Sequence, residues 1–103
     1  MREYDFHPEA EVDLDAIWEF IAEDSLEAAD RVLDAIDATI AALVPFPHQG
    51  HRRPDLTQRP LRFTSAGNYL IAYAPDKRPL WVVGVFHGRR NPRVIAAMLR
   101  ERE

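Results

Sequence analysis

The sequence contains no cysteine, a single lysine, two serines and four glycines. Without cysteine there is neither a disulfide framework nor a thiolate metal site. Ser25 falls at a predicted helix cap and Ser65 beside a predicted turn, which argues against serine-nucleophile chemistry. No glycine-rich phosphate loop occurs. No apolar run approaches the roughly 18 residues of a membrane helix. The opening Met1-Arg2-Glu3-Tyr4-Asp5 has no apolar signal core behind its charges. These absences point to a soluble cytoplasmic protein without cofactor, metal or membrane partner. His48-x-x-His51 with Asp55 has the residue types of a metal site, but it lies in a proline-rich loop and lacks a coherent ligand set.

What is present suits one globular domain over residues 1–103. Nearly half of the residues are apolar, and the length falls in the single-core range. The net charge of −4 conceals a split. Residues 1–50 carry thirteen acidic and two basic side chains, whereas residues 51–103 carry eleven basic and four acidic ones. Lys77 is the only basic residue that is not arginine. Arginine suits recognition of phosphate and carboxylate because its planar fork donates two parallel hydrogen bonds. Charge alone fits an anionic partner and a solvated basic surface equally well.

The periodicity predicts β-α-α-β-β-β-α, an α+β fold with a helical hairpin on a small antiparallel sheet. Tyr4 and Phe6 alternate with charges in a strand over Arg2–His7, which Pro8 ends. Ala10, Leu14, Ile17, Trp18 and Ile21 form one stripe of a helix over Glu9–Glu23. Asp24-Ser25-Leu26-Glu27 reads as a capping box with Asp24 as the cap. A second helix then runs to about Val44, with Leu26, Ala29, Leu33, Ile36, Ile40 and Leu43 on its buried stripe. Pro45 and Pro47 end it. After a loop over Phe46–Pro60, strands are predicted at Leu61–Thr64, Tyr69–Ala74 and Trp81–His87, joined by short turns into a meander. The last strand is apolar almost throughout, so a central position covered on both faces is expected. Asn91-Pro92 opens a final helix whose stripe is Val94, Ile95, Met98 and Leu99.

The basic series supplies the candidate site. Arg52 and Arg53 fall in the long loop, Arg59 and Arg62 at or within the second strand, and Arg89, Arg90 and Arg93 after the last strand. Clustered arginines bind nucleic-acid phosphates or an acidic protein segment. His87-Gly88-Arg89-Arg90-Asn91 ends a strand, where functional residues collect on a rigid frame. His87 has the chemistry of a general acid or base, or of a histidine bonding neighbouring backbone. Tyr69 and Tyr73 lie four apart in one strand and share a face, suited to stacking on bases or to core packing.

The chain resembles the RelE/ParE superfamily of bacterial toxin–antitoxin toxins, and more closely its ParE-like branch. The resemblance is carried by Ala10-x-x-Asp13-Leu14-x-x-Ile17-Trp18, Ala28-Ala29-x-x-Val32, Leu43 with Pro47-x-x-Gly50, Arg62-Phe63, Asn68-Tyr69-Leu70-Ile71-x-Tyr73 and Val85-x-His87-Gly88-Arg89-Arg90. It implies a toxin of a type II toxin–antitoxin system, neutralised as a hetero-oligomer by a ParD-like antitoxin whose tail wraps it. ParE-like members are associated with inhibition of DNA gyrase, whereas RelE-like relatives cleave mRNA on the ribosome. Cleavage requires a base, an acid and cations at the phosphate. Arg62, His87 and Arg89 form at most a partial set, since Lys77 sits in a turn and no tyrosine follows Tyr73. The resemblance therefore implies a toxin that acts by binding, with an endoribonuclease or a nontoxic antitoxin-binding member as the alternatives. Antitoxin or target contact is expected at Arg52, Arg53, Arg59, Arg62, Tyr73, His87, Arg89, Arg90 and Arg93.

Overall fold

The structure is a computed structural model that describes residues 3–102. The elements run β1 (Tyr4–Phe6), α1 (Pro8–Ala22), α2 (Leu26–Leu43), β2 (Arg62–Ala66), β3 (Tyr69–Ala74), β4 (Leu80–His87) and α3 (Pro92–Arg100). The class and order are those expected. Arg2, at the start of the expected first strand, lies outside the described residues.

Local chemistry sets the helix starts. Pro8 occupies the first turn of α1, and the His7 ring accepts a hydrogen bond from Glu9 N at 3.0 Å. The cap of α2 is Ser25 rather than Asp24: its hydroxyl accepts from Ala28 N at 3.1 Å. Ser25 has the extended backbone that a cap requires. Asn91 caps α3 by accepting from Arg93 N at 2.9 Å, with Pro92 at the first helical position.

The sheet order is β1-β4-β3-β2. The meander β2-β3-β4 is antiparallel, but β1 joins β4 in parallel, with Tyr4 opposite Leu80 and Phe6 opposite Val82. The sheet is thus mixed where an antiparallel one was expected. No hairpin turn links β1 to β4; two helices, the long loop, β2 and β3 lie between them in the chain, ample length for a parallel pairing. Gly67 turns the β2-β3 hairpin at φ 58°, a conformation that only glycine adopts freely.

The central strand β4 is covered on both faces, as its apolar run predicts. The α1-α2 hairpin packs on one face, where Ile36, Ile40 and Leu43 of α2 meet Ile71, Tyr73, Leu80, Val82 and Val85 of the sheet. The other face holds Leu56, Leu61, Phe63, Ala72, Val83, Phe86, Ile95 and Leu99, under α3 and the long loop. Simple alternation would put Val83 and Val85 on the same face. They lie on opposite faces because the pairing slips between Ala72 and Tyr73, whose partners are Gly84 and Val82. This bulge re-phases the strand. Two stripe residues were misassigned: Leu26 and Val94 are exposed, each in the first turn of its helix, beyond the edge of the core.

Candidate partner-binding site

The seven arginines of the expected contact surface divide into two groups toward opposite ends of β3. At one end Arg62 pairs with Tyr73, and at the other His87 pairs with Tyr69. These pairs lie four positions apart on β3, roughly 13 Å along the strand. Arg62 and His87 therefore do not converge, and the partial nuclease set is not assembled.

The Arg62 end is structural. Tyr73 is fully buried; its hydroxyl donates to Pro47 O at 2.7 Å and accepts from Gly50 N at 3.0 Å. Arg62 donates to Gly50 O at 2.9 Å. Together they pin the start of the long loop to the sheet. Burial pushes the Tyr73 hydroxyl pKa up, and the Gly50 N–H and the Arg62 charge draw part of that shift back. Tyr73 is thus core and cannot meet a partner. Arg59 caps α3: its Nη1 donates to Leu99 O at 3.0 Å and to Arg102 O. Arg53 forms a two-point pair with Asp55 at 3.0 and 2.8 Å, which raises the arginine pKa and lowers that of the carboxylate. Arg52 is exposed.

The His87 end is different. Arg89, Arg90 and Arg93 are exposed, and none of their guanidinium groups makes an ion pair or hydrogen bond among the described residues. His87 Nδ1 accepts from Arg89 N at 3.1 Å, which leaves the ring proton on Nε2 in the neutral form. The ring stands edge-on to Tyr69, with centroids 5.4 Å apart. A cleft of about 260 Å³ opens beside it, between α1 and the end of β4.

A buried ion pair frames this cleft from behind. Asp13 and Arg102 have side chains 9% and 5% exposed and join at 2.6 and 3.0 Å. Asp13 also accepts from Val85 N at 3.0 Å, and Arg102 donates to Val83 O at 3.2 Å. Both lie where β4 runs past the end of β1, so they satisfy backbone groups that a fifth strand would otherwise meet. The Arg102 guanidinium also rests 5.1 Å from the centre of the Phe86 ring. Gly84 makes the room: a Cβ there would lie 2.7 Å from Arg102 Nη1 and 2.5 Å from Phe86. Sequence reasoning missed this pair. Its one local signal is an acid, Asp13, placed three residues after Ala10 and four before Ile17 on the apolar stripe of α1.

A family model described as the ParE toxin of type II toxin-antitoxin system, parDE, matches residues 4–92. The chain belongs to the ParE toxin family. The match runs from β1 through both helices and the whole sheet to the start of α3. A ParE-family toxin belongs to a type II system, which pairs it with an antitoxin. A search of curated proteins finds no match. No helix among the described residues is long and apolar enough to cross a membrane.

Proposed function

We propose that this ParE-family chain is a cytoplasmic toxin neutralised by a ParD-like antitoxin, and that it inhibits DNA gyrase by binding rather than by cleaving RNA. The observation that supports binding is the geometry of His87. Its Nδ1 lone pair is engaged by Arg89 N–H, and Arg62 lies at the other end of the sheet, bound to Gly50 O. A base, an acid and a phosphate-holding cation must meet at one phosphodiester; these side chains do not. The exposed Arg89, Arg90 and Arg93 are instead suited to carboxylates of a protein partner.

The test is DNA supercoiling by gyrase with purified toxin, with and without the antitoxin encoded beside it. Inhibition relieved by the antitoxin is expected. Normal supercoiling in excess toxin would overturn the gyrase reading. Translated message cut on expression, and spared by Arg62→Ala or His87→Ala, would establish an mRNA interferase in its place. Antitoxin binding without growth arrest would mark a nontoxic member.

A further inference from the structure

The helix α1 carries a feature that neither the core nor the arginines account for. Val12, Ala16 and Phe20 recur at every fourth position on one face of it. Phe20 is 72% exposed and Val12 57% exposed. A phenylalanine this exposed is uncommon on a helix whose other outward residues are mostly acidic. Ala16 and Phe20, with Ile17, form one wall of the cleft beside β4. The other wall is Tyr69, His87 and Arg90.

The walls differ in chemistry. The α1 wall offers aliphatic and aromatic carbon. The opposite wall offers an exposed guanidinium and an imidazole whose Nε2 carries the proton, because Nδ1 accepts from Arg89 N. Both polar groups donate hydrogen bonds and one is a fixed cation. Asp13 adds no free negative charge at the back, since Arg102 neutralises it. A complementary ligand places a large apolar group against Phe20 and a carboxylate against Arg90.

We infer that this cleft is an anchor site for an acidic protein segment, taking one large apolar side chain between Phe20 and Tyr69 and its neighbouring carboxylate on Arg90. The inference rests on the reading of the chain as a protein-binding toxin, and it names the surface where the partner docks. A nucleic acid fits less well: it would bring its charge to Arg89, Arg90 and Arg93 but would leave the Val12–Ala16–Phe20 stripe in water. A buried apolar anchor flanked by a charge-assisted contact is the usual form of an interface hot spot.

The experiment uses the full chain, ¹⁵N-labelled, titrated with an acetylated twelve-residue peptide alternating Glu with Leu and Phe. Two control ligands are the same peptide with Ser for each Leu and Phe, and a twelve-nucleotide uridine RNA. The apolar-acidic peptide should shift the amides of Ala16–Phe20, Tyr69 and His87–Arg90. Its affinity should fall about tenfold or more for the Ser control, for Phe20→Glu and for Arg90→Glu. Phe20 and Arg90 are exposed, so unchanged melting temperatures should accompany those losses. Binding of the Ser peptide or the RNA as tight as that of the apolar-acidic peptide would overturn the inference. An antitoxin complex that keeps its full affinity after Phe20→Glu would also overturn it, while leaving the family reading intact.

Discussion

The two ends of β3 hold similar residues and use them in opposite ways. At the Tyr73 end, Arg59 and Arg62 give their N–H groups to a helix end and a loop carbonyl. At the Tyr69 end, Arg89, Arg90 and Arg93 keep theirs in solvent. The difference is what lies within reach. The long loop and the end of α3 bring unpaired carbonyls to the first group, and a guanidinium satisfies them well. The turn after β4 closes its own backbone bonds through His87 and Asn91, and so leaves its guanidinium groups without a partner among the described residues. A run of arginines in sequence is therefore not one surface. Each must be sorted by whether its donors are already engaged.

Substitutions should separate the two groups. The largest effect is expected for Arg102→Ala, which leaves the Asp13 carboxylate buried without its partner. A loss of about 3–5 kcal/mol in urea denaturation is the scale for a broken buried pair. Tyr73→Phe should follow, at about 1–3 kcal/mol, because Gly50 N–H and Pro47 C=O lose their shared partner. It also carries a pH signature. The folded-state pKa of Tyr73 is raised above its ordinary value of 10.0. The folded protein then holds that proton more tightly than the unfolded chain. The contribution is present below pH 10 and is lost as pH rises through the folded value. Denaturation midpoints measured at increasing alkaline pH should fall in the wild type, and that part of the fall should vanish in Tyr73→Phe. Arg59→Ala should cost about 1–2 kcal/mol by uncapping α3. The smallest change in stability, within about 0.5 kcal/mol, is expected for the double substitution of Arg89 and Arg90 by Glu. That variant should nevertheless weaken the antitoxin complex, most at low salt, as calorimetry at two ionic strengths would record. Retained affinity at low salt would place the partner elsewhere.

Much of the fold was legible because its signals are local. Apolar spacing gave both long helices, Pro8 and Asn91-Pro92 marked helix starts, and the apolar run of β4 announced a strand covered on both faces. The errors fell where local signals tie. Asp24 and Ser25 are both good caps, and the backbone angles of the folded turn decided for Ser25. Leu26 and Val94 fit their helical stripes by spacing, but they stand one turn too early to reach the core. The parallel docking of β1 has no local signature, since β1 and β4 are separated in the chain by both helices, the long loop, β2 and β3. The candidate site was legible in part. The sequence pointed to the residues around His87, which the structure leaves exposed, but Tyr73 and Arg59 belong to the framework, and Phe20 was not singled out.

The sequence by itself determined the element order, the acidic helices, the basic second half and the likeness to ParE toxins. The first three follow from composition and from spacings of a few residues, and the likeness rests on the motifs that resemble the family's. Only the tertiary structure decided which arginines have their donors engaged, that Asp13 and Arg102 meet from positions far apart in the chain, and that Phe20 lines a cleft with Arg90. Each is a matter of distance between segments remote in sequence. Such distances are fixed only when the sheet register, the bulge in β4 and the crossing of α1 are set together.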